Sequence, residues 1–298
     1  MRYSILKYND GIMKTYSHGV KKTAKVFSFM RNFSVPNTSK TPRSENFRRR
    51  EKVISQNPNA AERHPIIDVR DIRKEYRLAD DTVVALKRIN MKVYRGEICC
   101  IFGTSGSGKS TLLNQLAGLE KPTYGEVLIG GVSVTKMSEE ALAAFRQKHI
   151  GFVFQSYNLM SSLTAVENVA MPLMFRGVAK PERTKAAIAI LAKVGLSNRL
   201  DHYPGQMSGG QQQRVGIARA FIGNPDVVFA DEPTGNLDSK TTVEVMEMIC
   251  GFARKNRQTI VLVTHDSEMA KYADHIVTLV DGLIVKDEYV ESCVKRIE

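Results

Sequence analysis

Ile98-Cys99-Cys100-Ile101-Phe102, followed directly by Gly103-Thr104-Ser105-Gly106-Ser107-Gly108-Lys109-Ser110, is the stretch whose reading decides the fold. The apolar run is short and unbroken, as expected of a strand buried on both faces of a parallel sheet. The residues after it fit G-x-x-x-x-G-K-[S/T], and Thr111–Leu119 then carries Leu112, Leu113, Leu116 and Leu119 at helical spacing. Strand, glycine-rich loop and helix are the context this motif requires. The glycines let backbone N–H groups converge on phosphate oxygens without side-chain interference. The helix N-terminus adds partial positive charge. Lys109 can reach the β- and γ-phosphates, and the Ser110 hydroxyl can ligate Mg²⁺. The pattern alone arises by chance in roughly one chain in a hundred of this length. The flanking strand and helix bring that below roughly one in a thousand, so the loop reads as a site for ATP or GTP.

Working outward, Val227-Val228-Phe229-Ala230 and Ile260-Val261-Leu262-Val263 repeat the buried-strand pattern. Val243, Met246, Ile249 and Ala253 give a helix between them. Strands alternating with helices predict an α/β protein with a mostly parallel sheet. Ile66–Val69 and Val83–Met91 read as strands around the turn-like Ala79-Asp80-Asp81. Asp281-Gly282, between Ile276–Val280 and Leu283–Val285, is a hairpin signal. Residues 157–222 carry helical patterns at Val166–Phe175, Arg183–Val194 and Gly210–Phe221 and no clear strand, which predicts a helical insertion. Asp231-Glu232 comes straight after the strand Val227–Ala230. Ligands of open α/β sheets bind at the carboxyl ends of strands, so both acids are expected to face the crevice of the phosphate loop. One carboxylate can hold Mg²⁺ and the other can accept a proton from attacking water. An acid that merely caps the next element is the structural alternative.

Of the 298 residues, 43% are hydrophobic and 25% charged, which excludes a wholly disordered chain and a disulfide scaffold. No run approaches the roughly 18–20 apolar residues of a membrane-spanning helix. Cys99, Cys100, Cys250 and Cys293 form no CxxC pair, so the spacing supports neither a zinc nor a thioredoxin-type motif, and reduced thiols are expected. The net charge of +12 is uneven. Residues 1–64 hold 14 Lys+Arg against 4 Asp+Glu (+10), and residues 65–298 hold 29 against 27 (+2). The basic character therefore belongs to a tail and does not mark a DNA-binding domain. Within the tail, Met13, Tyr16, Val20, Ala24, Phe27 and Met30 alternate with lysines in the manner of a basic amphipathic helix, and residues 34–64 read as a linker.

Met207-Ser208-Gly209-Gly210-Gln211 opens a helix that runs through Gln213, Arg214, Val215, Ala218 and Ala220. With this motif added to the others, the chain over about residues 65–288 resembles the ATP-binding cassette (ABC) ATPases. Met207 stands where that family usually has Leu, a side chain of similar volume. The resemblance implies a P-loop NTPase fold of α/β class, with a RecA-like core, an antiparallel β subdomain and a helical subdomain at about 157–213, all within a domain over 65–298. It also implies the site. Gly103, Thr104, Ser105, Gly106, Ser107, Gly108, Lys109, Ser110 and Thr111 would hold ATP, and Tyr76, 27 residues before Gly103, would stack on adenine. The other reading of Tyr76 is an ordinary half-buried strand tyrosine. Ser110, Asp231 and Gln155 would hold Mg²⁺. Glu232 would be the catalytic base, aided by His265, Gln155 and Lys109. Asp238, in Gly235-Asn236-Leu237-Asp238, would lie across a dimer interface.

Ser208, Gly209 and Gly210, with Gln211, form a second helix N-terminus suited to phosphate. In the family this signature closes over the ATP held by a second cassette. One phosphate loop and one signature therefore imply a partner cassette, most simply a second copy arranged head to tail, closing on ATP binding and opening on hydrolysis. Phe154-Gln155-Ser156-Tyr157-Asn158-Leu159, Leu163–Val169, and Asp231–Ser239 look like the macrolide-export and lipoprotein-release (MacB/LolD-like) branch. That branch implies a separate transmembrane permease docked near Gln155–Asn168, export or extraction of peptides, lipoproteins or amphipathic drugs, and a peripheral position on the cytoplasmic side of the cell membrane. The alternative is a non-transport ABC ATPase that regulates cell-wall enzymes in cell division. The chain has no heptad run of the kind seen in DNA-repair relatives. Arg48–Arg50 has only Phe47 beside it, so no nucleic-acid partner is expected. The tail has three readings: a solvated extension, a basic helix on an anionic membrane surface or the permease, or a targeting peptide.

Overall fold

The structure is a computed structural model that describes residues 64–78 and 81–290. The amphipathic pattern, the linker up to residue 63, Ala79-Asp80 and Cys293 lie outside those residues. The apolar runs all become strands of one six-stranded sheet, ordered β10-β9-β3-β8-β7-β6. These strands are β3 (Ile98–Phe102), β6 (Ile150–Phe154), β7 (Val227–Asp231), β8 (Thr259–Thr264), β9 (His275–Val280) and β10 (Leu283–Tyr289). β3, β6, β7, β8 and β9 run parallel, and β10 turns back antiparallel to β9 through Asp281-Gly282, both at positive φ.

Alternation along the strands sends successive side chains to opposite faces, and both faces are dry. Ile98, Cys100, Val228, Ala230, Ile260 and Leu262 pack on one side. There they meet α3 (Ala165–Phe175), α4 (Lys180–Lys193), α5 (Gly209–Phe221) and α6 (Ser239–Asn256). Cys99, Ile101, Phe229, Val261 and Val263 pack on the other. Their neighbours are α1 (Lys109–Leu116), through Leu112, Leu113 and Leu116, and a second, antiparallel sheet. That sheet has the order β2-β1-β4-β5, made of β1 (Pro65–Leu78), β2 (Asp81–Tyr94), β4 (Tyr124–Ile129) and β5 (Val132–Ser133).

β1 and β2 are longer than their apolar stretches suggest. Pairing continues through Tyr76↔Val83 and Leu78↔Asp81, with register shifts along the way and Asp71 at φ 51°. Such bulges break the alternation from which strands are read. β4, β6 and α2 (Glu139–His149) carry no sequence expectation at all. In β6 the signal is interrupted by Gly151, where a Cβ would strike the Ala220 carbonyl of α5. The glycine is there to let helix and strand approach closely. β6 and β7 are neighbours, and residues 155–226 between them form the expected helical insertion. α3 opens with a reciprocal capping box between Thr164 and Glu167. The expected limit of the helical subdomain at 213 falls inside α5, which runs unbroken to Phe221.

Phe229 has no exposed surface and lies with its ring centroid 5.8 Å from that of Phe152. Phe229→Ala is expected to cost about 3–5 kcal/mol, read as a lower urea midpoint with an unchanged slope. A shift under ~1 kcal/mol would mean that this face of the sheet is not closely packed.

Candidate active site

β3, β8, β7 and β6 are consecutive parallel neighbours, and their ladders keep the carboxyl ends level. Phe102 pairs with Thr264, Val263 with Asp231, and Asp231 with Phe154. The residues that follow those ends are Gly103, His265, Glu232 and Gln155. At ~4.8 Å per strand, the four segments span roughly 14 Å. Between them and β2 lies a cleft of about 810 Å³, lined by Ser105, Gly106, Gly108, Lys109, Ser110, Thr111, Gln155, Asp231, Glu232 and His265. The structure thus brings most of the expected site residues into one concavity.

The phosphate loop owes its path to its glycines. Gly106 and Gly108 sit at φ +80° and +101°, conformations L residues seldom adopt, and a Cβ on Gly108 would come 2.8 Å from the Ala85 carbonyl oxygen. Gly103 has no room for a Cβ against the Leu279 carbonyl of β9. Lys109 is buried, with Nζ donating to the Thr104 carbonyl at 2.8 Å. The Ser107 hydroxyl is buried without a hydrogen-bond partner among the described residues.

Asp231 ends β7 beside the loop. One carboxylate oxygen is buried with no partner among the described residues, and the side chain also engages the Ser110 hydroxyl. Burial first, and the neighbouring Glu232 next, raise its pKa above the ordinary aspartate value, while Lys109 and Ser110 pull it down. Glu232 takes a left-handed backbone conformation, φ 45°, with its N–H donating to the Val263 carbonyl at 3.0 Å. Strain of this kind costs energy and persists where the surroundings over-determine it. The turn aims its carboxylate at His265, with Oε1 at 2.7 Å from Nδ1. The Gln155 side chain packs on Gly235, and the Gln155 carbonyl accepts from Asn236 Nδ2 at 3.0 Å.

Other expected residues lie elsewhere. Tyr76 is half-buried in β1, and its hydroxyl donates to Glu120 Oε2 at 2.8 Å. Lys74 Nζ stands 5.1 Å from its ring centroid, and the side chain also meets that of Thr111. Tyr76 is not among the residues that line the cleft. Ser208 caps α5: its Oγ accepts from the Gln211 N–H at 3.3 Å, while its own N–H donates to Gln211 Oε1 at 3.1 Å. Ser208, Gly210 and Gln211 line a second concavity of about 350 Å³, with Arg199 and Arg214, which shares no residue with the first. A Cβ on Gly209 would crowd the Tyr157 hydroxyl, and one on Gly210 the Thr241 methyl, each at 2.8 Å. Asp238 caps α6, accepting from the Thr241 N–H at 3.0 Å and hydroxyl at 2.7 Å, bonds that lower its pKa.

A model of the ABC transporter family matches residues 86–235. The chain belongs to the ABC transporter family. It is 50% identical over 221 residues to an ABC transporter ATP-binding protein, MJ1508, of Methanocaldococcus jannaschii, covering 74% of this chain and 98% of that one. It is 46% identical to the lipoprotein-releasing system ATP-binding protein LolD of Geobacter metallireducens, over 74% of this chain and 99% of LolD. With the macrolide export ATP-binding/permease protein MacB of Chlorobium luteolum it shares 46% identity over 75% of this chain and 33% of MacB. The chain thus spans less than half the length of the longer relatives it matches. A dimeric cassette, MJ0796, solved in a post-hydrolysis state with ADP and Pi, superposes with a TM-score of 0.72 at 40% identity, over 76% of this chain and 99% of that chain. The fold is that of an ABC ATPase, and the cassette binds and hydrolyses ATP.

Sequence reasoning did not find the cassette's second wall. Val83, Val84, Ala85 and Lys87 of β2, with Asp281 and Gly282, complete the cleft. The Gly282 N–H donates to the Ser107 carbonyl at 3.0 Å, and the Gly282 carbonyl accepts from the Lys87 N–H at 2.8 Å. The hairpin signal at Asp281-Gly282 was legible, but its contact with a loop far away in sequence was not. Gly282→Val places a β-branched residue at φ +74°, with its Cβ against the Ala85 carbonyl. The substitution is expected to weaken ATP binding about tenfold, the equivalent of ~1.4 kcal/mol, while the far-UV circular dichroism stays native. Unchanged affinity in an ATP titration would detach the hairpin from the loop's function.

Proposed function

We propose that this cassette hydrolyses ATP to drive a separate membrane permease of the MacB/LolD type, which exports or extracts peptides, lipoproteins or amphipathic drugs. The observation that carries the reading is the split between two concavities. The phosphate loop, Asp231, Glu232, Gln155 and His265 share one, and the signature residues Ser208 and Gly210 sit in the other. A signature set apart from its own phosphate loop serves a partner cassette, most simply a second copy joined head to tail with two ATP molecules in the interface.

Gly103–Thr111 holds the triphosphate, with Lys109 exchanging the Thr104 carbonyl for phosphate oxygens. Tyr76 is assigned to the adenine and Asp238 to the dimer interface. The donor set fits Mg²⁺: a buried carboxylate oxygen of Asp231 with no partner among the described residues, the Ser110 hydroxyl next to it, and Gln155 across the cleft. Mg²⁺, when bound, neutralises charge on the phosphates. Glu232 accepts the proton of the attacking water, and His265, already 2.7 Å from its carboxylate, holds that carboxylate and reaches the γ-phosphate. The protein works on the cytoplasmic face of the cell membrane, peripheral through its permease, with residues 1–64 against the membrane surface or the permease. No helix among the described residues is long and apolar enough to span a membrane.

Glu232→Gln keeps the shape of the side chain and removes the base. It is expected to bind ATP with wild-type affinity, lose turnover by about 10²-fold or more, and run as an ATP-dependent dimer on size exclusion. Turnover near wild type would remove Glu232 from the role of base. Gentle detergent extraction of the full-length chain from its native membrane, with mass spectrometry of what accompanies it, tests the coupling. The expected companion is a multi-span permease with a large extracytoplasmic domain. A cell-division membrane protein in its place would transfer the reading to the non-transport alternative.

A further inference from the structure

At the amino end of β3, opposite the phosphate loop, lies a second cluster of polar side chains that ATP chemistry does not use. Glu97, Cys99 and His275 are all buried, and their ligand atoms lie within 4.8 Å of one another. The fold makes this cluster. Glu97 and Cys99 are two apart on one extended segment and so share a face. Cys99 and His275 stand opposite each other in the β3–β9 ladder. Sequence spacing gives no sign of it, because the histidine comes from a strand near the far end of the chain.

We propose that Glu97, Cys99 and His275 form a binding site for a Zn²⁺-class divalent ion. Thiolate, imidazole and carboxylate are the ligand types that zinc prefers, and tetrahedral zinc sites often take three protein ligands and a fourth position from water. Ligand orientation is already fixed by outer partners. Glu97 Oε2 accepts from the Tyr94 N–H at 3.0 Å, and Oε1 is hydrogen-bonded to His275 Nδ1 at 2.5 Å, a bond that the ion replaces. Asp287 Oδ1 lies 2.7 Å from His275 Nε2. A carboxylate on the far nitrogen of a histidine is the usual outer partner of a metal-bound imidazole, because it fixes the tautomer that presents the other nitrogen to the ion. The Tyr289 ring stacks on the imidazole with centroids 4.4 Å apart and roofs the site. Tyr289 ends β10, which is an edge strand, so fraying of that strand opens an entry path.

Charge points the same way. Two carboxylates, Glu97 and Asp287, flank the one buried imidazole, so the cluster stays net negative even with the ring protonated and has charge left for a cation to meet. On binding, the Cys99 thiol releases its proton to solvent, and His275, which pairs with a carboxylate at each nitrogen, releases the proton on Nδ1 as that nitrogen turns to the ion. The thiolate and the Glu97 carboxylate then balance the two charges of the ion, and Asp287 remains the partner of the Nε2–H.

The test uses the untagged full-length chain, stripped with chelator and titrated with Co²⁺, whose bond to a thiolate gives a charge-transfer band in the near ultraviolet. One Co²⁺ per chain with that band, displaced by Zn²⁺ and unchanged by saturating Mg²⁺ and ATP, is the expected result. Cys99→Ala removes the band, and Asp287→Asn weakens binding by about 10–100-fold, with circular dichroism and ATP binding retained in both. If Cys99→Ala does not fold, the titration of the wild-type chain decides alone. A wild-type chain with no thiolate band, or a band that survives Cys99→Ala, overturns the site and leaves His275 as an imidazolium held between two carboxylates.

Discussion

The hydrogen-bond ladder that joins β3, β8, β7 and β6 is the constraint on which the rest of the molecule depends. Parallel ladders fix where neighbouring strands end relative to one another, and here they end together. Four loops that are distant in sequence therefore begin at one height, within roughly 14 Å. The chemistry of the site needs no long-range coincidence beyond that. Glu232 after β7, His265 after β8, Gln155 after β6 and the glycine-rich loop after β3 converge because the sheet brings their roots into line. The dryness of both faces protects the ladder, since slipping one residue would turn every buried side chain to the wrong side.

How much of this was legible depended on whether the signal was local. The phosphate loop carries its own reason for being: glycines where the backbone needs positive φ, a lysine, and a hydroxyl, all within eight residues. β3, β7 and β8 were equally plain, because the unbroken runs Ile98–Phe102, Val227–Ala230 and Ile260–Val263 confine polar residues to the strand ends. β6 was missed because Gly151 serves its neighbour α5, and β4 because Tyr124–Ile129 mixes exposed with buried positions. The far wall of the cleft was illegible for a different reason. Ala85, Lys87 and Gly282 act there largely through backbone groups, and a backbone amide leaves no mark on the residue that carries it. Tyr76 is read from its distance to Gly103 alone; the structure adds that its hydroxyl is tied to Glu120 and that its side chain meets Thr111 at the edge of the cleft.

Within one chain, the cleft at the phosphate loop and the concavity at Ser208 and Gly210 are separate but not independent. Gln213, buried in α5 just behind the signature, donates to the Pro233 carbonyl at 2.5 Å, one residue after the proposed base. Arg219, further along α5, donates to the carbonyls of Tyr157 and Asn158 at 2.8 and 2.6 Å. These are the residues that follow Gln155, and both sit at positive φ. A rigid helix thus touches the loop after β7 and the loop after β6 at once. A tilt of α5 as a rigid body would move both, which links the helical insertion mechanically to the segments that carry Glu232 and Gln155. The acceptors lie within stretches the sequence singles out, but they act through backbone carbonyls, so the contacts themselves leave no mark on the motifs.

The bond from Gly282 to the Ser107 carbonyl also bears on how the molecule is made. Chains emerge from the ribosome in order, and contacts between distant residues wait for the later partner. β3 is central in the finished sheet, yet one of its two neighbours, β9, and the turn that steadies the phosphate loop are among the last described segments to be synthesised. Until they arrive, the edge of β3 that β9 will cover stands open and the loop lacks a wall. A nascent cassette therefore completes the wall of its phosphate loop only once β9 and the Asp281-Gly282 turn have been made, about 170 residues after the loop itself.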